Sequence, residues 1–383
     1  MFKAFRYRLE PNVNQARELG IAVETHRRLY NACLEQRKLS YESDKKSVTY
    51  TDQSKWFKSE RTVNPWFARL NFSSAQATMR RLDKSFAAFF RRVKAKEAPG
   101  YPRFKGRDRF DSFTYPSIGD GARLKGTKLR LQNVGLVRVN LHRPIEGIPK
   151  TITVKREADK WYVVIVSDLG DIAAENTNNS AVGIDVGIES FLTTSDGEHI
   201  APLQPLKWRL RKLRVQQRSL CRKRKGSATR AKARKSVART HATVRNYRRD
   251  QHHKIAKKLV DRYGMIAVES LNIKGMSRNR RLARAVLDAG WGQFLQILKH
   301  KAESAGVEVV EVNARGTSQT CPKCGAVAKK ILKQRQHICS CGYTAHRDHA
   351  AAQVILSRGQ GGMHPEGRNV GAVIPHGLRS RLL

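Results

Sequence analysis

Four cysteines and three acids are the residues of this 383-residue chain whose types and spacing suit chemistry. Cys321-Pro-Lys-Cys324-Gly comes first, and fourteen residues then separate Cys324 from Cys339-Ser-Cys341-Gly. Two thiolate pairs at knuckle spacing, each followed by a glycine where the backbone turns around a metal, suit tetrahedral zinc with sulfurs at about 2.3 Å. Such a site is closed to water and structural. The second pair has a single intervening residue, so its loop is tighter; an iron–sulfur cluster is the weaker alternative, with no second feature behind it. Among the acids, Ala181-Val-Gly-Ile-Asp185-Val-Gly187 sets one carboxylate on an otherwise apolar strand, and Met265-Ile-Ala-Val-Glu269-Ser-Leu271 repeats the arrangement. A buried strand rarely tolerates a carboxylate without a use for it, and in open α/β sheets such strand ends face the ligand crevice. The third acid, Asp348 in His346-Arg347-Asp348-His349, starts a helix from Ala350 to Ser357 whose alanine-rich face allows close approach to a sheet. Three carboxylates converging on one crevice would hold two Mg²⁺ ions about 4 Å apart, one activating water and one stabilising the leaving oxygen of a phosphodiester. For any single acid the plain alternative is a helix cap or a satisfied core carboxylate, which for Asp348 alone explains it as well; the three together, in this order, favour the metal. Asp196, Asp250 and Asp288 read as turn, helix-surface and cap residues, and His346 and His349 as either proton carriers near the acids or solvated helix-end histidines.

The elements that must position these residues follow from periodicity. Phe5, Tyr7 and Leu9 alternate with Arg6 and Arg8, predicting a strand that Pro11 ends. Helical patterns run from about Asn14 to Leu39, with Leu19, Val23, Leu29, Cys33 and Leu34 as core positions, and from Asp52 to Glu60. A third helix carries Leu82, Phe86, Phe89, Phe90 and Val93 on one face, with Ser73 or Ser74 as its cap and Pro99-Gly100 as its stop. Short β-rich runs follow at Lys128 to Leu131, Gly135 to Leu141, Thr151 to Lys155 and Trp161 to Ser167, the last two a hairpin through Glu157-Ala158-Asp159. A β-barrel interrupted by a helical bundle fits that order. Asn176 to Ser180 is turn-rich and marks a domain boundary. Beyond it Ala181 to Asp185, Phe191 to Thr194, Met265 to Leu271 and Val307 to Val312 alternate with helical stretches, predicting an α/β domain with a mixed sheet. From Gly359 onward there is Gly and Pro without periodicity, and disorder is expected.

Charge names the class of partner. Seventy-five Lys and Arg against 32 Asp and Glu give a formal net charge of +43, which a phosphate backbone would neutralise with a steep salt dependence. Between Lys207 and Arg249 lie eighteen Lys/Arg and no acid, with Trp208, Leu210, Leu213 and Leu220 keeping a helical apolar stripe. Solvated faces mix signs, so this run calls for a nucleic acid against it. Arg91-Arg92 and Tyr101-Pro-Arg-Phe-Lys105 are equally ordinary surface or further grips on backbone and bases. A membrane surface is the rival polyanion, but no stretch nears the roughly 18 apolar residues of a spanning helix, and no amphipathic basic helix or lipidation signal stands out. The expected location is intracellular, with Cys33 and Cys221 as plain single cysteines.

These residues together resemble the TnpB family of transposon-encoded RNA-guided nucleases, related to type V CRISPR effectors, over nearly the whole chain. The resemblance rests on GIDVG at Asp185, VESL at Glu269, Asn279-Arg-Arg-Leu, Asp288-Ala-Gly-Trp291-Gly, TSQTCPKCG from Thr317, CGYTAHRD ending at Asp348, and GYPRFKG from Gly100. It implies a multidomain α/β plus β-barrel fold: a wedge β-barrel (1–10 and 100–175) with a helical recognition insertion (11–99), and a RuvC-like nuclease domain of RNase H fold (180–315 and 343–358). A zinc ribbon that binds target nucleic acid (316–342) is inserted in the latter, and a tail (359–383) follows. It implies Asp185, Glu269 and Asp348 as catalytic ligands of two Mg²⁺, Cys321, Cys324, Cys339 and Cys341 as ligands of one structural Zn²⁺, and a guide RNA from the transposon end. It further implies cleavage of double-stranded DNA beside a short motif, by a monomer, in the cytoplasm of a prokaryote. By position Tyr50, Ser54, Gln76 and Thr114 fall in the motif-reading surface. The chain departs from the family after Asp348, where Ala350 and Val354 replace asparagines and His346 stands where an acid is common; these changes bear on cleavage rate more than on the chemistry. An RNA-guided repressor would be marked by a lost acid, and none is lost; a transposase would join ends through the same metal chemistry.

Overall fold

The alternation at the N-terminus builds β1 (Phe2–Glu10), whose Phe5, Tyr7 and Leu9 are buried. The computed structural model describes residues 1–107, 109–170, 176–328 and 334–361, and the chain divides into two units, Met1–Ile172 and Ala173–Leu383, a few residues ahead of the expected boundary. The tail expected to be disordered lies, beyond Gly361, outside the described residues.

In the first unit Asn12 starts α1 (Val13–Asp44) with a capping box, its Oδ1 accepting from Gln15 N at 2.8 Å and Gln15 Oε1 accepting from Asn12 N at 3.1 Å. The five core positions expected on this helix are all buried. Next come α2 (Tyr50–Val63), the single turn α3 (Pro65–Ala68) and α4 (Phe72–Lys94). The cap of α4 is Asn71, which accepts from Ser74 N at 2.9 Å, and neither serine expected there; Ser73 Oγ itself donates to Asn71. Of the aromatic face only Leu82 and Phe86 reach the core, while Phe90 is 61% and Val93 48% exposed. Periodicity finds a face but not what lies opposite: the last turns of α4 meet Tyr101, edge-on to Phe86 and Phe89.

The strands β2 (Ser112–Tyr115), β3 (Ala122–Lys125), β4 (Lys128–Leu131), β5 (Gly135–Asn140), β6 (Ile148–Glu157) and β7 (Lys160–Asp168) join β1 in an antiparallel sheet ordered β2-β6-β7-β1-β5-β4-β3. The expected barrel is, among the described residues, a half-barrel sheet. β2 and β3 are edges, and no ladder joins them; α1 and α4 pack on β2 instead. The β6–β7 hairpin closes as expected, with Glu157 paired to Lys160 and Ala158 at φ 54°.

The second unit contains β8 (Ala181–Asp185), β9 (Leu192–Thr194), β10 (His199–Ile200), α5 (Pro205–Cys221), α6 (Ala228–Arg262), β11 (Met265–Ser270), α7 (Ile273–Met276), α8 (Ala283–Ala289), α9 (Trp291–Ser304) and β12 (Glu308–Asn313). A two-stranded ribbon, β13 (Gln336–Ile338) and β14 (Thr344–His346), leads into α10 (Arg347–Gly359). The main sheet runs β10-β9-β8-β11-β12, with β8, β11 and β12 parallel and β9 antiparallel to both its neighbours. Val182, Ile184, Ile266 and Val268 share a core with Leu259 of α6 and Phe294 and Leu298 of α9. Ala267 packs with Val312 and Ile355 of α10 in a separate cluster. Successive strand residues point to opposite faces, so Gly183, Asp185, Ala267 and Glu269 belong to the α10 side.

That helix lies very close. A Cβ added at Gly183 would sit 2.1 Å from Ala352 O and 2.6 Å from Leu356 N, both main chain that cannot swing aside. Gly183→Ala is expected to cost about 3 kcal/mol or more, seen as a lower denaturation midpoint; a midpoint equal to the parent protein's would refute the close contact. Among the described residues no helix is long and apolar enough to cross a membrane.

Candidate active site and metal centre

Asp185 ends β8 and Glu269 lies one residue from the end of β11, one step past the Val268–Ile184 pair of the parallel ladder. They are therefore neighbours on the α10 face, on strands about 4.8 Å apart. Asp348 is the second residue of α10, the helix that covers this face. Burial is the largest force raising the Asp185 carboxyl well above the usual carboxylate range; the charges of Glu269 and Asp348 add to it, and Arg347 opposes. Glu269 is also raised by burial, against a hydrogen bond from Thr317 and the charge of Arg358. Arg347 Nε lies 3.3 Å from Asp348 Oδ1. Asp348 is not the helix cap. His346 takes that place, its ring accepting from Asp348 N at 3.4 Å while it stands edge-on to His199. His349 is not a solvated end residue either, since its Nε2 lies 3.0 Å from Ser195 O.

The four cysteines meet around one point. Cys321 and Cys341 sulfurs are 3.7 Å apart, Cys324 and Cys339 3.5 Å, and all four close within 4.8 Å of one another. A tetrahedron with metal–sulfur bonds of about 2.3 Å has edges of about 3.8 Å, whereas a disulfide would need about 2.05 Å. The donor set therefore fits one zinc ion. Both glycines of the motif turn as the spacing requires, Gly325 at φ 75° and Gly342 at φ 82°, their N–H groups donating to Cys321 O and Cys339 O. Among the described residues these sulfurs are the set of three or more ligand atoms that closes this tightly; Asp185 stands in the field of Glu269 and Asp348 without the three carboxylates doing so.

Residues 152–280 match the OrfB_IS605 family, described as probable transposase, and residues 291–355 the Cas12f1-like TNB domain. Residues 1–46 match that family's helix-turn-helix domain, although here they form one strand and one unbroken helix. A Streptomyces pristinaespiralis protein named RNA-guided DNA endonuclease is 32% identical over 366 residues, covering 93% of this chain and 89% of that protein. Escherichia coli K12 InsQ, named likewise, is 30% identical over 378 residues, covering 93% and 92%. The chain belongs to the TnpB family. Of solved structures, the mini-RNA-guided endonuclease CRISPR-Cas_phi3 covers 94% of this TnpB-family chain and 92% of its own at 8% identity, with a TM-score of 0.49, too faint a likeness to weigh.

Elsewhere in this TnpB-family protein, the first unit brings together Ser54 and Gln76, with Gln76 Nε2 donating to Ser54 Oγ at 3.2 Å. Tyr50 begins the same helix as Ser54 and lies under Arg80 of α4, 5.0 Å from ring centre to guanidinium carbon. Thr114 is apart from these on β2, its hydroxyl 2.9 Å from Thr153 Oγ1. The basic run occupies α5 and α6. Leu213 of α5 and Val244 of α6 are buried, whereas Trp208, expected on the stripe, is 60% exposed and edge-on to Tyr247. Asp288 is the expected cap in an unexpected manner: from α8 it accepts Leu206 N at 2.9 Å and Lys207 N at 3.0 Å, capping α5, and pairs with Arg248. Sequence reasoning gave no role to Thr317 or Arg358, the groups that face Glu269. The available signal for Thr317 was its place four residues before the first cysteine ligand.

Proposed function

We propose that this protein is an RNA-guided DNA endonuclease that hydrolyses phosphodiester bonds in double-stranded DNA, with Asp185, Glu269 and Asp348 as its catalytic acids. The observation that carries the reading is the common face: two acids side by side on parallel strands, and a third on the helix covering them, with Asp185 feeling both others. Buried like charges are tolerated where a cation is to sit among them, and an all-carboxylate donor set suits Mg²⁺. Asp185, Glu269 and Asp348 are the residues that would hold Mg²⁺ here, and the chemistry the ions would supply is activation of water and stabilisation of the leaving oxygen. The protein's own part is to hold the carboxylates in place: Thr317 bonds Glu269, Arg347 flanks Asp348, and the close α10 contact fixes the third acid against the sheet. The 3-2-1-4-5 succession of strands, β10 to β12, with the first, fourth and fifth parallel, supports an RNase H-type, RuvC-like domain.

The rest of the chain supports the same reading. The α5–α6 hairpin carries the run of cations between Lys207 and Arg249 and is the surface offered to guide RNA backbone. The neighbourhood of Tyr50, Ser54 and Gln76, with Thr114, is assigned to the short motif beside the target, and the zinc ribbon to the target nucleic acid. The complex acts as a monomer in the prokaryotic cytoplasm. The test is to purify the full chain from cells expressing the adjoining transposon end, sequence the RNA it carries, and supply a supercoiled plasmid bearing the matching target with Mg²⁺. Linear product with the matched plasmid, and none with a scrambled one, is expected. Tight binding of the matched plasmid without cutting would make the protein a repressor, and strand-transfer products formed without RNA would make it a transposase.

A further inference from the structure

We propose that Thr317 is a positioning residue for Glu269 and that the zinc knuckle holds Thr317 in place, an inference that rests on the active-site reading above. Thr317 Oγ1 donates to Glu269 Oε1 at 2.5 Å, and both residues are buried. The main chain from the end of β12 to the first cysteine is a tight turn: Gln319 N and Thr320 N both donate to Gly316 O at 3.0 Å, and Thr320 Oγ1 adds a bond to the same oxygen at 2.9 Å. Its near end is pinned from α10, where Arg358 Nη1 donates to Asn313 O at 2.8 Å and Arg315 O at 3.0 Å. Its far end runs directly into Cys321, whose N–H donates to Ala326 O, while Thr320 bridges to Val327. Thr317 thus hangs between an arginine clamp and a metal ligand.

A carboxylate that must hold a divalent ion gains from a donor on one oxygen, which orients the other and favours the ionised form against burial. The knuckle also reaches the third acid. Tyr343, two residues after Cys341, donates its hydroxyl to Gln353 of α10, and β14 passes straight into the turn bearing Asp348. The four thiolates therefore lie between the supports of Glu269 and of Asp348, in sequence and in contact.

The test uses the full RNA-loaded chain with Thr317→Val, which keeps the volume and removes the donor, and Thr317→Ser, which keeps the donor. Three quantities are read: matched-plasmid cleavage across an Mg²⁺ titration, the rise in Tm that Mn²⁺ produces, and zinc per chain. Thr317→Val is expected to lose about 10- to 100-fold in cleavage at limiting Mg²⁺ and to show a smaller Mn²⁺-induced rise. Thr317→Ser should stay close to the parent, with zinc content unchanged in both. Equal performance of Thr317→Val and the parent, or an equal loss in both variants, overturns the role of Thr317. A Glu269→Gln variant that cuts normally overturns the active-site reading and this inference with it; a dead Glu269→Gln beside an unimpaired Thr317→Val removes this inference alone. For the knuckle, Cys324→Ser should lower zinc content and shrink the Mn²⁺-induced rise as Thr317→Val does. Zinc loss with that rise intact would show that the knuckle does not hold Thr317.

Discussion

Asp185→Asn is expected to lower single-turnover cleavage of a matched plasmid by at least about a thousandfold, roughly 4 kcal/mol of transition-state stabilisation. The same change should raise the Tm of the protein measured without added Mg²⁺. Both effects come from one cause. The half-buried carboxyl is desolvated by its surroundings and sits in the fields of Glu269 and Asp348 with Arg347 in opposition, so its charge costs folding free energy whenever no cation is present. A neutral amide of the same shape relieves that cost, and each kcal/mol relieved moves Tm by about 2–4 °C in a unit of this size. Loss of activity with gain of stability is the signature of a site that stores repulsion for use. A variant that loses both together would indicate an ordinary structural carboxylate, and one that cuts normally would remove Asp185 from the reaction.

Loss of zinc should have the second large effect. Cys321→Ser removes the most buried of the four ligands. Because such a site does not exist in the unfolded chain, metal binding is folding free energy, of order 10 kcal/mol for zinc-finger peptides. The knuckle should then unfold independently of the sheet, with zinc content falling from one per chain towards zero and protease cleavage appearing between Gly316 and Thr344. Cys221→Ser, at an exposed position outside the cluster, should leave the metal in place. Recovery of iron and sulfide in place of zinc, or a Cys321→Ser protein that keeps its full metal content, would rule the assignment out.

The second unit was more legible in the sequence than the first, for physical reasons. Its buried parallel strands are apolar runs interrupted by one acid each, and Ala181–Asp185 was read to the residue. Gly183 and the alanines of α10 announced close packing, which the geometry bears out. In the first unit β2 and β3 have four residues each, too few to display a period of two, so pattern alone finds neither of these edge strands of the half-barrel sheet. The cap of α4 differs from the expected one because Asn71, Ser73 and Ser74, within four residues, are all good cappers, and only backbone angles choose among them. Around the acids, what pattern could not show was tertiary: the hydroxyl of Thr317 and the guanidinium of Arg358 reach Glu269 from 48 and 89 residues away in the chain. Nor could pattern show that His346, two residues before Asp348, is the cap of α10.

At its tightest point, where α10 crosses Gly183, the seam between helix and sheet brings main chain against main chain. Surfaces of that kind have no rotamers to try. They can be broken by substitution, but they offer evolution no intermediate settings, unlike a contact between long side chains. Natural variants that cut faster or slower should therefore differ at the adjustable groups, Thr317, Arg347 and Arg358, while the seam is inherited intact.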